Sequence, residues 1–208
     1  SSRQERTTKR VTLATAERQA QIVEAAVRLV GKYGVERTTV GQIAAEVGLS
    51  DMGPYRHFES KNEIMRAAYL SLIQRGLDWL RCSSHPSVPQ RLLEIGEAHL
   101  RMLSADVEMY NAPMMHFITT VPANGILDGE EADQINQVVD FIAGIVNEGK
   151  AQKSIREDVD PIQFAWELIA WAQGEDTHYL VSTRAGVFAR EAHLRMLELM
   201  IRDASANT

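Results

Sequence analysis

Thr38-Thr39-Val40-Gly41-Gln42-Ile43-Ala44-Ala45-Glu46-Val47-Gly48-Leu49-Ser50-Asp51-Met52-Gly53-Pro54-Tyr55-Arg56-His57-Phe58-Glu59-Ser60-Lys61 packs several helix start and stop signals into one short stretch. Thr39 and Gln42 have capping-box spacing: the hydroxyl accepts from the third helical N–H and the amide returns to the cap N–H. That spacing predicts a helix from about Val40. Val40, Ile43, Ala44 and Val47 then share one face, and Gly48 supplies the left-handed residue on which such a helix stops. Ser50 is the expected cap of a second helix over Asp51 to His57, and Ser60 with Glu63 opens a third. About two turns of helix are marginal alone, so the middle one is expected to lean on its neighbours through Leu49, Tyr55 and Phe58. A helix-turn-helix of this kind, short, supported and polar on its outer face, suits the major groove of duplex DNA.

Gly48-Leu49-Ser50, then Tyr55-Arg56-His57-Phe58, then Ser60-Lys61 resemble, in order and spacing, the DNA-binding signature of the TetR family of bacterial transcriptional regulators. Ile22-Val23-Glu24-Ala25-Ala26 and Tyr33-Gly34-Val35 match the family's first helix and its end, so the resemblance covers about residues 18–70. It departs at Met52-Gly53-Pro54, where the family pattern usually has a Gly, a small polar residue and an aliphatic one. Pro54 falls in the first helical turn, where a missing N–H is least costly, so the helix is expected to survive. The resemblance implies an all-α fold, with an N-terminal three-helix DNA-binding domain followed by a larger helical ligand-binding and dimerisation domain. The corresponding boundaries here are 1–14 for a flexible basic arm, 15–60 for the helix-turn-helix domain and 61–208 for the remainder.

Side-chain chemistry divides the contacts expected with DNA. Lys61 stands where a helix N-terminus and a cation converge, the natural seat of a phosphate. Thr39 and Tyr55 offer hydroxyls to phosphate, and His57 an imidazole N–H. Asp51, Met52, Gly53 and Arg56, following the cap Ser50, are placed to read bases: Asp accepts from cytosine, Met covers a thymine methyl, and Arg grips guanine. Solvent exposure, or for Tyr55 a place in the reader core, accounts for the same residue types.

Charge supports this polarity when it is divided along the chain. Residues 1–66 hold 11 Lys/Arg against 8 Asp/Glu, a net +3, and residues 67–208 hold 11 against 20, a net −9, which together make the −6 of the whole. A basic end on an acidic chain offers itself to phosphates. Arg3, Arg6, Lys9 and Arg10 suit an arm along the backbone or minor groove, and equally a solvated tail. No run of about 18 apolar residues suggests a membrane span, and the N-terminus is charged rather than signal-like, so a cytoplasmic protein is expected. The single cysteine, Cys82, leaves no internal disulfide and no cysteine-based zinc site, and an isolated thiol is usually inert.

Beyond the reader, helix follows helix. An apolar-periodic segment over 61–82 links the two domains, and His85-Pro86-Ser87-Val88-Pro89 breaks it. Further helices are expected from Ser87 to about Ser104, from Asp106 to Ile118 with Pro113 as a kink, and from Asp128 to about Gly149 after a loop over 122–129. Asp160-Pro161, a cap followed by proline at the first helical position, opens one to about Thr183, and Phe188 to Asp203 completes about nine helices without an alternating strand pattern. The last two carry more apolar surface than one small core requires. Surplus of this kind marks a partner, and the resemblance makes it a second copy, forming a four-helix interface. A two-fold dimer sets two reader helices about 34–36 Å apart and selects a palindromic operator. A buried core pair explains the same pattern.

The resemblance also implies a ligand cavity whose occupancy, transmitted through the 61–82 helix, changes the separation of the readers. Met102, Met109, Met114 and Met115 fall close together, and with Phe117, Phe141, Trp166 and Trp171 they suit a deformable apolar pocket, as they suit an ordinary core. His116, Asn111, Gln173 and His178 are the polar anchors available, and a small, largely hydrophobic effector is the matching ligand. No cofactor is implied. An enzyme is the first alternative: Glu175-x-x-His178 has di-metal spacing, but that chemistry needs a second such pair, and this chain has no other His preceded by Glu at that distance. The second is a helical protein–protein adaptor using the helix-turn-helix as scaffold, which sequence-selective duplex binding excludes.

Overall fold

The computed structural model describes residues 2–105, 107–120, 129–185 and 190–206. Among these are eight α-helices: α1 (Ser2–Tyr33), α2 (Val40–Glu46), α3 (Lys61–Leu80), α4 (Val88–Ala105), α5 (Ala112–Thr120), α6 (Gly129–Ala151), α7 (Pro161–Ala185) and α8 (Arg190–Ala204). A 3₁₀ turn, Pro54–Arg56, separates α2 from α3, and a π-helical turn, Val107–Asn111, precedes α5. No strand occurs among the described residues beyond one isolated antiparallel bridge, Ile155 with Ser205. No described helix is long and apolar enough to cross a membrane.

Two compact units divide the chain, Ser1–Leu72 with Glu108–Leu127 and Ile73–Val107 with Asp128–Thr208. In the first, α1 buries Ile22, Ala25, Ala26, Leu29 and Val30 on one face, against Ile43 and Ala44 of α2 and Met114 and Phe117 of α5. Tyr69 of α3 meets Phe117 with ring centroids 5.5 Å apart. Sequence order would assign α5 to the later helices, but it packs chiefly on α1. The backbone of α1 begins at Ser2, so residues 2–14 of the segment expected as an arm are helical. No Gly or Pro stands between residues 2 and 30 to interrupt it.

The second unit is a helical bundle centred on Leu92, Ile95, Leu103, Ile142, Val146, Phe164, Leu168, Trp171 and Leu197. Its local signals are those read above. Asp160 accepts from the N–H groups of Ile162 and Gln163, both at 2.8 Å, and caps α7 ahead of Pro161. The expected helix starts at Asp106, Asp128 and Phe188, and residues 122–128 of the loop expected over 122–129, lie outside the described residues. Gly96 lets α4 and α8 touch: a Cβ there would sit 2.0 Å from Leu197 Cδ2 and 3.3 Å from the Trp171 ring. Leu197 is fully buried, so a turn of its side chain to make room must displace its neighbours. Gly96→Ala is therefore expected to lower unfolding free energy by about 1–3 kcal/mol, measured by urea denaturation. A variant as stable as the parent would mean that α8 shifts freely on α4.

Candidate nucleic-acid interface

The reader is assembled by caps. Gln42 N–H donates to Thr39 Oγ1 at 3.2 Å and Thr39 N–H to Gln42 Oε1 at 2.8 Å, the reciprocal pair that starts α2. Gly34 and Gly48 have φ of +84° and +68°, the left-handed conformation in which glycine pays no Cβ penalty, and each turns the chain at the end of a helix. Glu63 N–H donates to Ser60 Oγ at 3.1 Å, while the Glu63 carboxylate accepts from Glu59 N–H, one residue earlier than the box expected.

The middle element corrects the sequence reading. Instead of about two helical turns over 51–57, only Pro54–Arg56 is helical, and it is 3₁₀. Its hydrogen bonds run mostly to the third residue back: Gly53 N–H to Ser50 O at 2.7 Å, Arg56 N–H to Gly53 O at 3.2 Å and His57 N–H to Pro54 O at 2.9 Å. Pro54 has no N–H to extend an α-ladder back to Ser50. Ser50 serves this turn through its carbonyl, and no side chain caps it.

Around this turn Asp51, Met52, Tyr55 and Arg56 are exposed with Thr39 and Ser50, while Phe58 is buried. Met52, at 68% exposure, is the most exposed large apolar side chain of the described residues. Gly53 is buried: a Cβ would lie 2.7 Å from Leu49 Cβ and 2.9 Å from Ser50 O. Its role in the turn is to leave room. The Asp51 carboxylate lies over α2, 3.7 Å from where a Gly41 Cβ would stand. His57 is half-buried with Nδ1 turned inward, and Lys61 Nζ donates to Glu36 O at 3.2 Å. Three ammonium protons leave donors for a phosphate beside that bond.

Sequence reasoning missed the brace behind the turn. Gln19 Nε2 of α1 donates to His57 O at 3.2 Å, and Arg18 Nη1 donates to Val47 O at 3.3 Å. Arg28 pairs with Glu46 at 2.6 Å across exposed surface, a geometry worth little on its own. The one sequence signal for these residues was their place on the polar side of α1, which names no partner.

The residues proposed for an effector do not share one unit. Met109, Met114 and Phe117 belong to the first, with Met114 and Phe117 in its core; Met102, Phe141, Trp166, Trp171 and His178 belong to the second. Trp171 is buried there, with Nε1 donating to His193 O at 3.3 Å. Met102 and Phe141 are half-buried, and His178 is exposed. Trp166 is 47% exposed on the outer face of α7, where Ile162 and Val181 are also exposed, as are Met196 and Leu199 on α8. Glu175 takes His193 of α8 as its partner, not His178, and no group of three metal-ligating side chains is poised for an ion among the described residues.

Residues 22–68 match the family model for bacterial regulatory proteins of the tetR family. No curated protein matches the sequence. Solved structures share the fold at low identity. A TetR transcriptional regulator from Chloroflexus aurantiacus J-10-FL is 21% identical, with a TM-score of 0.80 over 94% of this chain and 99% of that one. A putative transcriptional regulator from Saccharomonospora viridis, solved in complex with choline, is 21% identical, with a TM-score of 0.74 over 93% and 100%. The ketosteroid transcriptional regulator KstR2 of Mycobacterium tuberculosis is 17% identical, with a TM-score of 0.63 over 91% and 96%.

Proposed function

We propose that this chain, whose N-terminal domain is that of the TetR family, is a repressor that binds a palindromic operator as a homodimer and is released by a small, largely hydrophobic effector. The observation that carries the reading is the turn at 53–56: a buried glycine and an N-terminal helix hold Asp51, Met52, Tyr55 and Arg56 outward, with Thr39 and Lys61 alongside to meet phosphates. Ser50 and His57 complete the contact set.

Homodimerisation is supported by the apolar residues exposed on α7 and α8, Ile162, Trp166, Val181, Met196 and Leu199, since large apolar side chains left in water on neighbouring helices suit a second copy. The effector is supported more indirectly, by a fold that in one neighbour holds choline and in another serves a ketosteroid regulator, and by the half-buried Met102 and Phe141 of the second unit. Effector binding must favour the DNA-incompetent arrangement by several kcal/mol to release DNA. α3, continuous from the reader into the second unit, is the covalent path for that change.

Selection of bound sequences from a random duplex pool tests the reading. The expected motif is palindromic. Arg56→Ala relaxes it at one position in each half-site, whereas Lys61→Ala weakens binding uniformly and reduces the salt slope by about one. A folded, ligand-free protein that enriches no sequence at low salt would sink it.

A further inference from the structure

Among its described residues the second unit holds four ionisable side chains in its interior: His99 of α4, Glu175 and Asp176 of α7, and His193 of α8, all buried. His99 Nε2 stands 3.2 Å from the Ala172 carbonyl, which can only accept, so Nε2 carries the proton and donates. Asp176 Oδ1 is 3.5 Å from the same nitrogen, both side chains being less than a tenth exposed. Trp79 of α3 and Trp171 of α7 cover the imidazole, with ring centroids 5.1 and 5.9 Å away. Of the charged groups around the pair, Glu175 lies beside Asp176 on α7 and is hydrogen-bonded to His193 of α8, and His178 of α7 lies against the His193 ring at 5.3 Å.

We propose that His99 and Asp176 form a self-neutralising pair across α4 and α7, in which folding moves one proton from the imidazole to the carboxyl group, and that this exchange insulates the packing of the second unit from pH. The chemistry is an acid–base balance with nothing added. In the unfolded chain between about pH 4 and 6.5 the carboxylate is ionised and the imidazole protonated; in the folded chain both are neutral. One proton is held in either state, so no net proton is taken up.

Burial supplies the direction of the exchange. It pushes His99 down to about 4, against the Ala172 hydrogen bond, and pushes Asp176 up to about 7, helped by the Glu175 carboxylate. Burial is the first cause of each shift, so the direction of each survives removal of its partner. The signs then oppose. The depressed His99 loses stability as pH falls from 6.5 to 4. The raised Asp176 loses stability as pH rises from 3.8 to 7 and is flat above. Across the shared window the two slopes cancel.

Unfolding of the full chain by urea between pH 4.5 and 6.5 tests this with two single variants and their double. Asp176→Asn exposes the histidine slope, its folding equilibrium weakening towards tenfold per pH unit of acidification; His99→Gln exposes the aspartate slope, weakening towards tenfold per unit of alkalinisation. The double variant returns to the parent's slope. Slopes of the same sign in the two single variants, or slopes equal to the parent's, overturn the proposal. Should either variant fail to fold, NMR of the parent at pH 6 decides: a neutral His99 ring with a protonated Asp176 carboxyl upholds it, and an imidazolium facing a carboxylate overturns it.

Discussion

Valine at Gly53 is expected to weaken sequence-selective duplex binding by about a hundredfold or more, with helix content nearly unchanged and unfolding free energy lowered by only about 1–3 kcal/mol. The backbone there, φ −58° and ψ −47°, is available to any residue, so the demand for glycine is one of space. The atoms a Cβ would meet are Leu49 Cβ at 2.7 Å and Ser50 O at 2.9 Å, and neither is the free end of a side chain. Relief requires the 50–53 hydrogen bond to open, at a cost of about 1–3 kcal/mol for an overpacked site. Opening it carries Tyr55 and Arg56 away from the positions their contacts need. A good base contact is worth about 1–3 kcal/mol, so losing one and misplacing another weakens binding by about a hundredfold or more. Fluorescence anisotropy with the selected operator at fixed salt measures this, with circular dichroism as the control. A variant that binds as tightly as the parent would show that the turn tolerates opening and that the reading surface lies elsewhere.

The parts of this site that were legible in the sequence are those whose cause is local. Thr39 with Gln42, Asp160 before Pro161, and Gly34 and Gly48 at helix ends act within a few residues of themselves, so spacing alone announces them. The turn at 53–56 was legible as a feature and not as a geometry. Whether Pro54 is absorbed into the first turn of an α-helix or converts the element to 3₁₀ depends on how tightly Gly53 packs under Leu49, and no helical periodicity encodes that. The brace from Arg18 and Gln19 was illegible for a different reason: its acceptors are the carbonyls of Val47 and His57, and every residue has a carbonyl. Met and aromatic residues carry the least positional information of all. Met114, Phe117 and Trp171 suit a pocket and a core equally by type, and only the packing places Phe117 against Tyr69 and Trp171 beneath His193.

Phe117→Ala follows from that placement and separates the two roles. Phe117 is fully buried in the unit that contains α1, α2 and the 53–56 turn, on the short helix α5 that packs on α1. Removing a buried phenyl ring typically costs about 3–5 kcal/mol, transfer and cavity together, a large share of the roughly 5–15 kcal/mol that holds a domain folded. The cost falls on the scaffold of the first unit, because α1 carries Arg18 and Gln19, which hold the carbonyls of Val47 and His57 on either side of the 53–56 turn. Urea unfolding is therefore expected to show the first unit losing stability by that amount, and operator affinity to fall in the absence of any effector. Phe117→Leu, which refills much of the space, recovers most of both. A side chain that served only to line an effector site would behave differently: its truncation would leave ligand-free stability and operator affinity at parental values and change only the response to effector. Coincident loss of stability and affinity in Phe117→Ala, restored together in Phe117→Leu, would establish α5 as part of the DNA-reading unit although the whole of residues 61–111 separates it from the reader.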